Sequence, residues 1–138
     1  MKRLALSLVP FALLLASPAL ADDQMKCNPE GSQAEMNACA YQDFQKADAA
    51  LNAMYKKAVA YAKEQDDNYK GQPELQGAMA ALKKAQRAWI DYRDGHCDLA
   101  GFAARGGSME PMLVSGCRMD LTRKRTAELK ALMEEGNR

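Results

Sequence analysis

The segment KKAQRAWIDYRDGHC, residues 83–97, holds several of the side chains that are able to do chemistry in this chain. If the segment is helical, Gln86, Trp89, Arg93 and Cys97 lie on one side of it, at spacings of three, four and four residues. This spacing is typical of a buried stripe, yet Gln86 and Arg93 are strongly polar. A buried arginine is tolerated only when its donors are paired, so the stripe predicts an acidic partner on another helix.

An acidic partner is available in the segment ADAALNAMY, where Asp48 and Asn52 lie one helical turn apart. Antiparallel packing of this helix against the first segment places Asp43 near Arg93 and Asp48 near Trp89. We therefore predict a polar network that fixes the register of the helices more than it maximises their stability. Its members are Asp48, Asn52, Gln86, Trp89, Arg93 and Arg125.

These residues do not form a recognisable catalytic or metal-binding arrangement. Paired carboxylates act as acid and base in hydrolases, but no Ser-His-Asp or Cys-His set is possible here. The cysteines are expected to be bonded, and the only histidine, His96, lies at a helix end. One histidine among scattered carboxylates also lacks the ligand spacing of a metal site. We therefore predict that the protein is not an enzyme and has no catalytic residue, no metal and no cofactor.

The N-terminal residues have the pattern of a secretory signal peptide. Lys2 and Arg3 precede the apolar run LALSLVPFALLLA, and the small-residue sequence Ala-Leu-Ala ends at Ala21. The apolar run is shorter than the ~20 residues that a membrane-spanning helix needs. No cysteine follows the cleavage site directly, so no lipid anchor is expected. Residues 1–21 are therefore predicted to be removed, which leaves a periplasmic or secreted protein that begins at Asp22 and has no membrane anchor.

Residues 22–138 are long enough to form one helical domain with a core of its own. Without Lys2 and Arg3, 17 of the 19 basic residues remain against 18 acidic residues, so the net charge is −1. Such a balance gives no reason to expect a nucleic acid or a membrane surface as the partner.

Four cysteines, Cys27, Cys39, Cys97 and Cys117, follow the signal sequence. An even number of cysteines in an exported chain predicts two disulfides. A zinc site is the alternative, but the chain has no C-x-x-C motif. We favour Cys39–Cys97 with Cys27–Cys117, because these bonds tie three segments together at one end of the bundle. The other two pairings stay open, since a sequence alone does not choose among three.

Helical periodicity in three stretches predicts an all-α fold, and no segment alternates long enough to be a strand. Ser32 and Glu35 form a capping box, which begins a first helix that extends to about residue 67. The predicted fold class is a disulfide-stabilised bundle of three main helices, with a long loop between the second and the third.

The second helix is predicted to carry an apolar stripe from Leu75 to Cys97, and the third to begin at about Pro111. The loop between them, residues 98–111, contains three glycines and a proline. The stripe expected on the third helix consists of Leu113, Cys117, Leu121, Arg125, Leu129 and Leu132.

The tip of this loop is the segment FAARGGSME, residues 102–110. It presents Arg105 and Ser108 beside Gly106 and Gly107, on a flexible segment with a disulfide-anchored base. Loops of this kind often carry binding residues, so the segment is a candidate inserting tip. The alternative is a plain connection between two helices.

Three stretches, taken in order, resemble the LprI-type lysozyme-inhibitor domain, a family of small exported bacterial helical proteins. They are CNPEGSQAEMNACAYQDFQKADAALNAMY, LKKAQRAWIDYRDGHC and GGSMEPMLVSGCRMDLTRKRTAEL. The resemblance covers roughly residues 27–132 and includes the four cysteines and the polar stripe described above. It implies a helical fold with disulfides and, for some members, inhibition of lysozyme.

Two functions follow as hypotheses. The first is an envelope inhibitor that protects the cell wall by binding lysozyme, whose groove holds two carboxylates that a cationic tip such as Arg105 can meet. The second is a non-enzymatic interaction or chaperone-like module of the envelope that does not bind lysozyme. The partner is a lysozyme or another envelope protein, and the oligomeric state is left open.

Overall fold

The computed structural model describes residues 26–136, and three long helices account for most of them. Helix α1 comprises Gln33–Asn68, α2 comprises Ala78–Gly101 and α3 comprises Glu110–Gly136. Short 3₁₀ turns lie at Pro73–Leu75 and Phe102–Ala104. No strand occurs between residues 26 and 136, so the all-α prediction is confirmed. The predicted signal peptide, residues 1–21, lies outside the described residues.

Helix α1 begins where the capping box predicts. The Ser32 hydroxyl accepts a hydrogen bond from the Glu35 N–H at 3.4 Å, and the Glu35 carboxylate accepts from the Ser32 N–H at 2.8 Å. Both bonds satisfy N–H groups that a helix end leaves without partners. The bond from the Ser32 N–H also holds the pKa of Glu35 below its ordinary value.

The turn from α1 to α2 depends on Asp66, a residue near the end of α1. Its carboxylate accepts hydrogen bonds from three successive N–H groups at the start of α2, those of Gly77, Ala78 and Met79, at 2.7, 2.8 and 3.1 Å. Gly77, with φ of 141°, has no side chain to cap the helix, so the cap comes from the preceding helix. These three bonds, that from Gly77 foremost, hold the pKa of Asp66 below its ordinary value.

Leu75 does not belong to the second helix, contrary to the prediction. It lies in the preceding 3₁₀ turn and is 52% exposed. The helix begins three residues later because Gly77 adopts a left-handed φ, which breaks helical geometry. The buried stripe of α2 therefore starts within the helix and leads to Arg93, Cys97 and Gly101.

Helices α1 and α3 run parallel and share the largest helix–helix contact, and α2 runs antiparallel to both. Near their starts, the Asn37 side chain donates to the Ser108 carbonyl at 2.9 Å. Near their ends, the Tyr61 hydroxyl lies against Gly136. Leu51, Ala58 and Leu129 form the centre of the core, and Met54, Tyr55, Leu82, Trp89 and Met133 pack around them.

The buried face of α3 differs from the predicted stripe. Its buried residues are Ser115, Thr122 and Leu129, which recur every seven positions. Leu132 is mostly exposed, because the contact with α1 follows this seven-residue repeat rather than the predicted run of leucines.

All four cysteines are bonded, which confirms two disulfides, but the favoured pairing is wrong. The bonds are Cys27–Cys39 and Cys97–Cys117. A turn before α1, in which the Gly31 N–H donates to the Asn28 carbonyl at 3.2 Å, folds the chain back so that Cys27 reaches Cys39. No disulfide therefore links α1 to the other two helices, and the second bond joins α2 to α3.

The connection between α2 and α3 is shorter than the predicted loop of residues 98–111. Residues 98–101 continue α2, and α3 begins at Glu110. Gly101 permits this arrangement, since a Cβ built there would lie 2.6 Å from the Val114 side chain. Only residues 102–109 connect the helices, and the disulfide Cys97–Cys117 encloses them. Within residues 26–136, none of the helices has the length and apolar character needed to span a membrane.

Asp66→Asn should reduce the loss of stability in acid. The folded-state pKa of Asp66 is below its ordinary value of 3.8, so its stabilising contribution is complete above that value and is lost as the pH falls through the folded-state pKa. The free energy of unfolding, measured with urea between about pH 5 and pH 2, should therefore fall less steeply with falling pH for Asp66→Asn than for the parent. Asp91→Asn, at an exposed position on α2, is the control, and equal slopes for all three proteins would contradict the capping role.

Candidate functional site

Arg93 lies at the meeting point of the three helices. Only 10% of its side chain is exposed. Its Nη1 donates to Asp48 Oδ1 on α1 at 3.3 Å and to Thr122 Oγ1 on α3 at 3.4 Å. Its Nε donates to Asp94 Oδ1 at 2.9 Å. One guanidinium group therefore contacts polar groups from every helix of the bundle.

Two aromatic rings lie against the same guanidinium. The Arg93 Cζ is 5.2 Å from the centre of the Phe44 ring and 5.1 Å from the centre of the Trp89 ring. At these distances the ring faces attract the cation, and they also exclude water from it. Trp89 has the further role of packing against the core.

The α1 carboxylate that pairs with Arg93 is Asp48 and not Asp43, contrary to the predicted register. Asp43 instead accepts a bond from Lys46 of the same helix at 2.9 Å. The reason is helical phase. Phe44 and Asp48, four residues apart, lie along the edge of the buried stripe of α1 that faces Arg93, whereas Asp43, five positions before Asp48, lies at the other edge of that stripe.

The remaining residues of the predicted network form two sets. Asn52 donates to Asp48 Oδ2 at 3.1 Å and so extends the set around Arg93. Nearer the start of α2, Gln86 Oε1 accepts from Arg125 Nε at 3.2 Å, and Arg125 also binds Glu128 at 3.1 Å. The first set bridges the helices through Arg93, with Asn52 exposed at its edge, and no direct bond joins the two sets within the described residues.

Sequence reasoning missed the continuation of this network towards the disulfide. Arg118 on α3 donates to Asp98 Oδ1 at 3.0 Å, and its Nε faces Asp94 Oδ1 at 3.5 Å. Acidic and basic groups therefore alternate from Asp48 through Arg93, Asp94 and Arg118 to Asp98. The spacing of Asp94 and Asp98, four residues apart beside the buried stripe, was the signal in the sequence.

The chemistry of this network is internal pairing. Its donors and acceptors bind one another, except that Arg118 Nε is buried and makes no hydrogen bond within the described residues. His96 lies on the outer face of α2 and contacts Tyr92 in a tilted arrangement, with 5.4 Å between ring centres. Among residues 26–136, no group of three or more His, Cys, Asp or Glu side chains is placed to hold a metal ion. That the network sets the register of the helices stays a prediction.

The predicted tip is a hydrogen-bonded turn rather than a flexible loop. Arg105 Nη1 donates to Glu110 Oε1 at 2.7 Å, and the Gly106 N–H donates to Glu110 Oε2 at 2.8 Å. These two bonds, that from Gly106 foremost, hold the pKa of Glu110 below its ordinary value. Gly106 has φ of 77°, which favours glycine. The Ser108 carbonyl is bound by Asn37, so α1 also supports the turn.

The turn presents an aromatic ring and a guanidinium to solvent. The Arg105 Cζ lies 4.5 Å from the centre of the Phe102 ring. Phe102 is 55% exposed, and the Arg105 side chain is 63% exposed. Among the described residues, Arg105 is bonded only through Nη1. Its Nε and Nη2 edge, the edge that binds carboxylates in a bidentate manner, is available to a partner.

A groove of ≈ 330 Å³ lies at the opposite end of the bundle. It forms where alanines on α1 and α2 are too short to fill the space beside Leu129 and Leu132 of α3. The alanines that line it are Ala58, Ala62, Ala78, Ala81 and Ala85.

Arg93→Ala should destabilise the protein by about 2–4 kcal/mol, because it leaves Asp48 without its cation, removes the nearer of two cations from Asp94 and opens a gap between two rings. Urea unfolding at pH 7 measures the effect. Arg87→Ala removes the same side chain from an exposed position on the same helix and should change stability by less than about 0.5 kcal/mol. Equal unfolding midpoints for the two variants would show that Arg93 is not needed to hold the helices together.

Comparison with known proteins identifies the family. A family model described as lysozyme inhibitor LprI matches residues 25–129. An uncharacterized protein of Rhizobium meliloti (strain 1021) is 57% identical over 128 residues, which cover 89% of this chain and 91% of that protein. The uncharacterized protein YecT of Escherichia coli (strain K12) is 34% identical over 64 residues, which cover 46% of this chain and 39% of that protein. No solved structure matches the chain. Because the family model covers most of the sequence, the resemblance is confirmed and the chain belongs to the LprI family.

Proposed function

We propose that this protein is exported to the periplasm or beyond, where it protects the cell wall by binding a lysozyme and blocking the enzyme's groove with residues 102–110. Family membership supports the choice of lysozyme as the partner. The observation that carries the proposal is the turn itself, in which Arg105 is stacked on an exposed Phe102 and keeps one edge of its guanidinium available.

The chemistry of the groove suits this turn. A lysozyme places two carboxyl groups on either side of the bond that it cleaves. The Nε and Nη2 edge of Arg105 offers two parallel donors to such a carboxylate, a pairing that is stronger than a neutral hydrogen bond. Phe102 adds apolar contact area beside the ion pair, and aromatic and arginine side chains dominate the binding energy of many protein interfaces.

The internal contacts of the turn favour tight binding. Ordering a long side chain at an interface costs roughly 0.5–1.5 kcal/mol, and Arg105 is already held by Glu110 and by the Phe102 ring. Glu110 carries a negative charge that opposes an enzyme carboxylate, but the Gly106 N–H and Arg105 compensate that charge locally. The turn is thus preorganised to bind a carboxylate.

The second candidate function is an envelope interaction module without lysozyme binding. The apolar groove at the opposite end favours this candidate, because a turn that blocks lysozyme makes no use of it. A lytic assay with the mature protein and purified lysozymes separates the two candidates. The first requires inhibition, and the second requires none.

Replacing both polar side chains of the turn, Arg105→Ala with Ser108→Ala, should weaken inhibition by about 2 kcal/mol, or about 30-fold in the inhibition constant. The reason is the loss of a charge-assisted bond to the enzyme and of a hydroxyl beside it. The fold should be retained, since both residues are exposed.

The control is Arg87→Ala, which removes an equal charge from another exposed position of the molecule. It should inhibit as well as the parent. If the turn variant is folded and has the same inhibition constant as the parent, the turn is not the part of the protein that inhibits lysozyme.

A further inference from the structure

We infer that the lysozyme-binding surface continues from the turn along the outer face of α2, as a ridge formed by Tyr92, His96, Leu99 and Phe102. This inference rests on the proposed function and extends it. Leu99 is 68% exposed, Tyr92 56% and Phe102 55%. Spacings of four, three and three residues align side chains along one side of a helix, and the rings of Tyr92 and His96 are in contact, tilted with 5.4 Å between their centres, so that the first two ridge residues form one surface.

The ridge has no part in holding the fold together. The side chains that α2 buries are those of Arg93 and Cys97, and its close approach to α3 is at Gly101. The ridge residues alternate with these positions and point away from them. Large apolar side chains that are exposed together on a small soluble protein often mark an interaction site.

Contacts on the buried side of α2 hold the backbone beneath the ridge in place. Arg93 contacts α1 and α3, and the bond between Cys97 and Cys117 fastens the next turn of α2 to α3. A Cβ at Gly101 would meet Val114, so the end of α2 also lies directly against α3. A surface held in this way loses little conformational freedom on binding.

The shape and charge of the ridge fit a long groove with an acidic centre. From Tyr92 to Phe102 the helix rises ~15 Å, and the line of side chains ends at the guanidinium of Arg105 on the Phe102 ring. The substrate groove of a lysozyme is concave and holds its carboxylates within it. A convex apolar line with one cation at its end is complementary to such a groove and would cover it beyond the two carboxylates.

The test is the double change Tyr92→Ala with Leu99→Ala, measured as the inhibition constant against a lysozyme that the parent inhibits. The matched control is Tyr41→Ala with Leu75→Ala, which removes the same two residue types at 53% and 52% exposure elsewhere. The ridge variant should inhibit at least about tenfold more weakly than the parent. The control should stay within about threefold, a difference of roughly 0.65 kcal/mol.

The outcomes separate the ridge from the turn. If the parent inhibits and the ridge variant matches its control, the ridge is overturned while the proposed function stands. If the parent binds no lysozyme, both are overturned. If light scattering shows a parent dimer that the ridge variant lacks, the ridge is a self-association surface and the inference is also overturned. Should the double change lower the melting temperature, Leu99→Gln alone replaces it, with the same expected direction and the same contradiction if inhibition is unchanged.

Discussion

Arg93 brings a full positive charge into the interior of a small helical bundle, and the neighbouring helices must compensate it. A buried guanidinium without partners would be strongly unfavourable. Here Asp48 comes from α1, Thr122 from α3 and Asp94 from the arginine's own helix. We propose that pairing with these partners selects how the three helices align. Apolar contacts among leucines and alanines are far less specific about that alignment.

The alignment of the helices also determines which residues lie on the outer surface of the molecule. Once Arg93 and Cys97 face inward, Tyr92, His96 and Leu99 must face outward, since positions on a helix are fixed relative to one another. The same alignment places the end of α2 beside the start of α3, where the disulfide Cys97–Cys117 encloses the turn of residues 102–109. The candidate binding surface is therefore a consequence of the buried network and does not require a flexible loop.

The sequence predicted those features that depend on local chemistry. The capping box at Ser32 and the stripe that contains Arg93 and Cys97 could be predicted because helix spacing and N-cap hydrogen bonds involve residues close in the chain. The sequence also indicated that Gln86 and Arg125 face the same seam, since both interrupt apolar stripes. Their positions follow from helical phase alone.

The features that the sequence did not predict depend on how separate segments meet. Deciding whether Asp43 or Asp48 pairs with Arg93 requires the register between α1 and α2. The periodicity of each helix does not contain that register. The disulfide pairing required knowing that the chain turns back before α1, so that Cys27 reaches Cys39. The cap that Asp66 supplies to α2 spans eleven to thirteen residues, whereas sequence rules for caps consider only the adjacent residues.

The most direct test of the central claim is the coupling energy between Arg93 and Asp48. It is measured by urea unfolding of the parent, Arg93→Met, Asp48→Ala and the double variant at pH 7. Because the pair joins α1 to α2 and Arg93 is largely buried, the two changes should not be additive, and the coupling should be about 1–2 kcal/mol. A coupling below about 0.3 kcal/mol, within the range of independent sites, would contradict the claim that this ion pair sets the alignment of the helices.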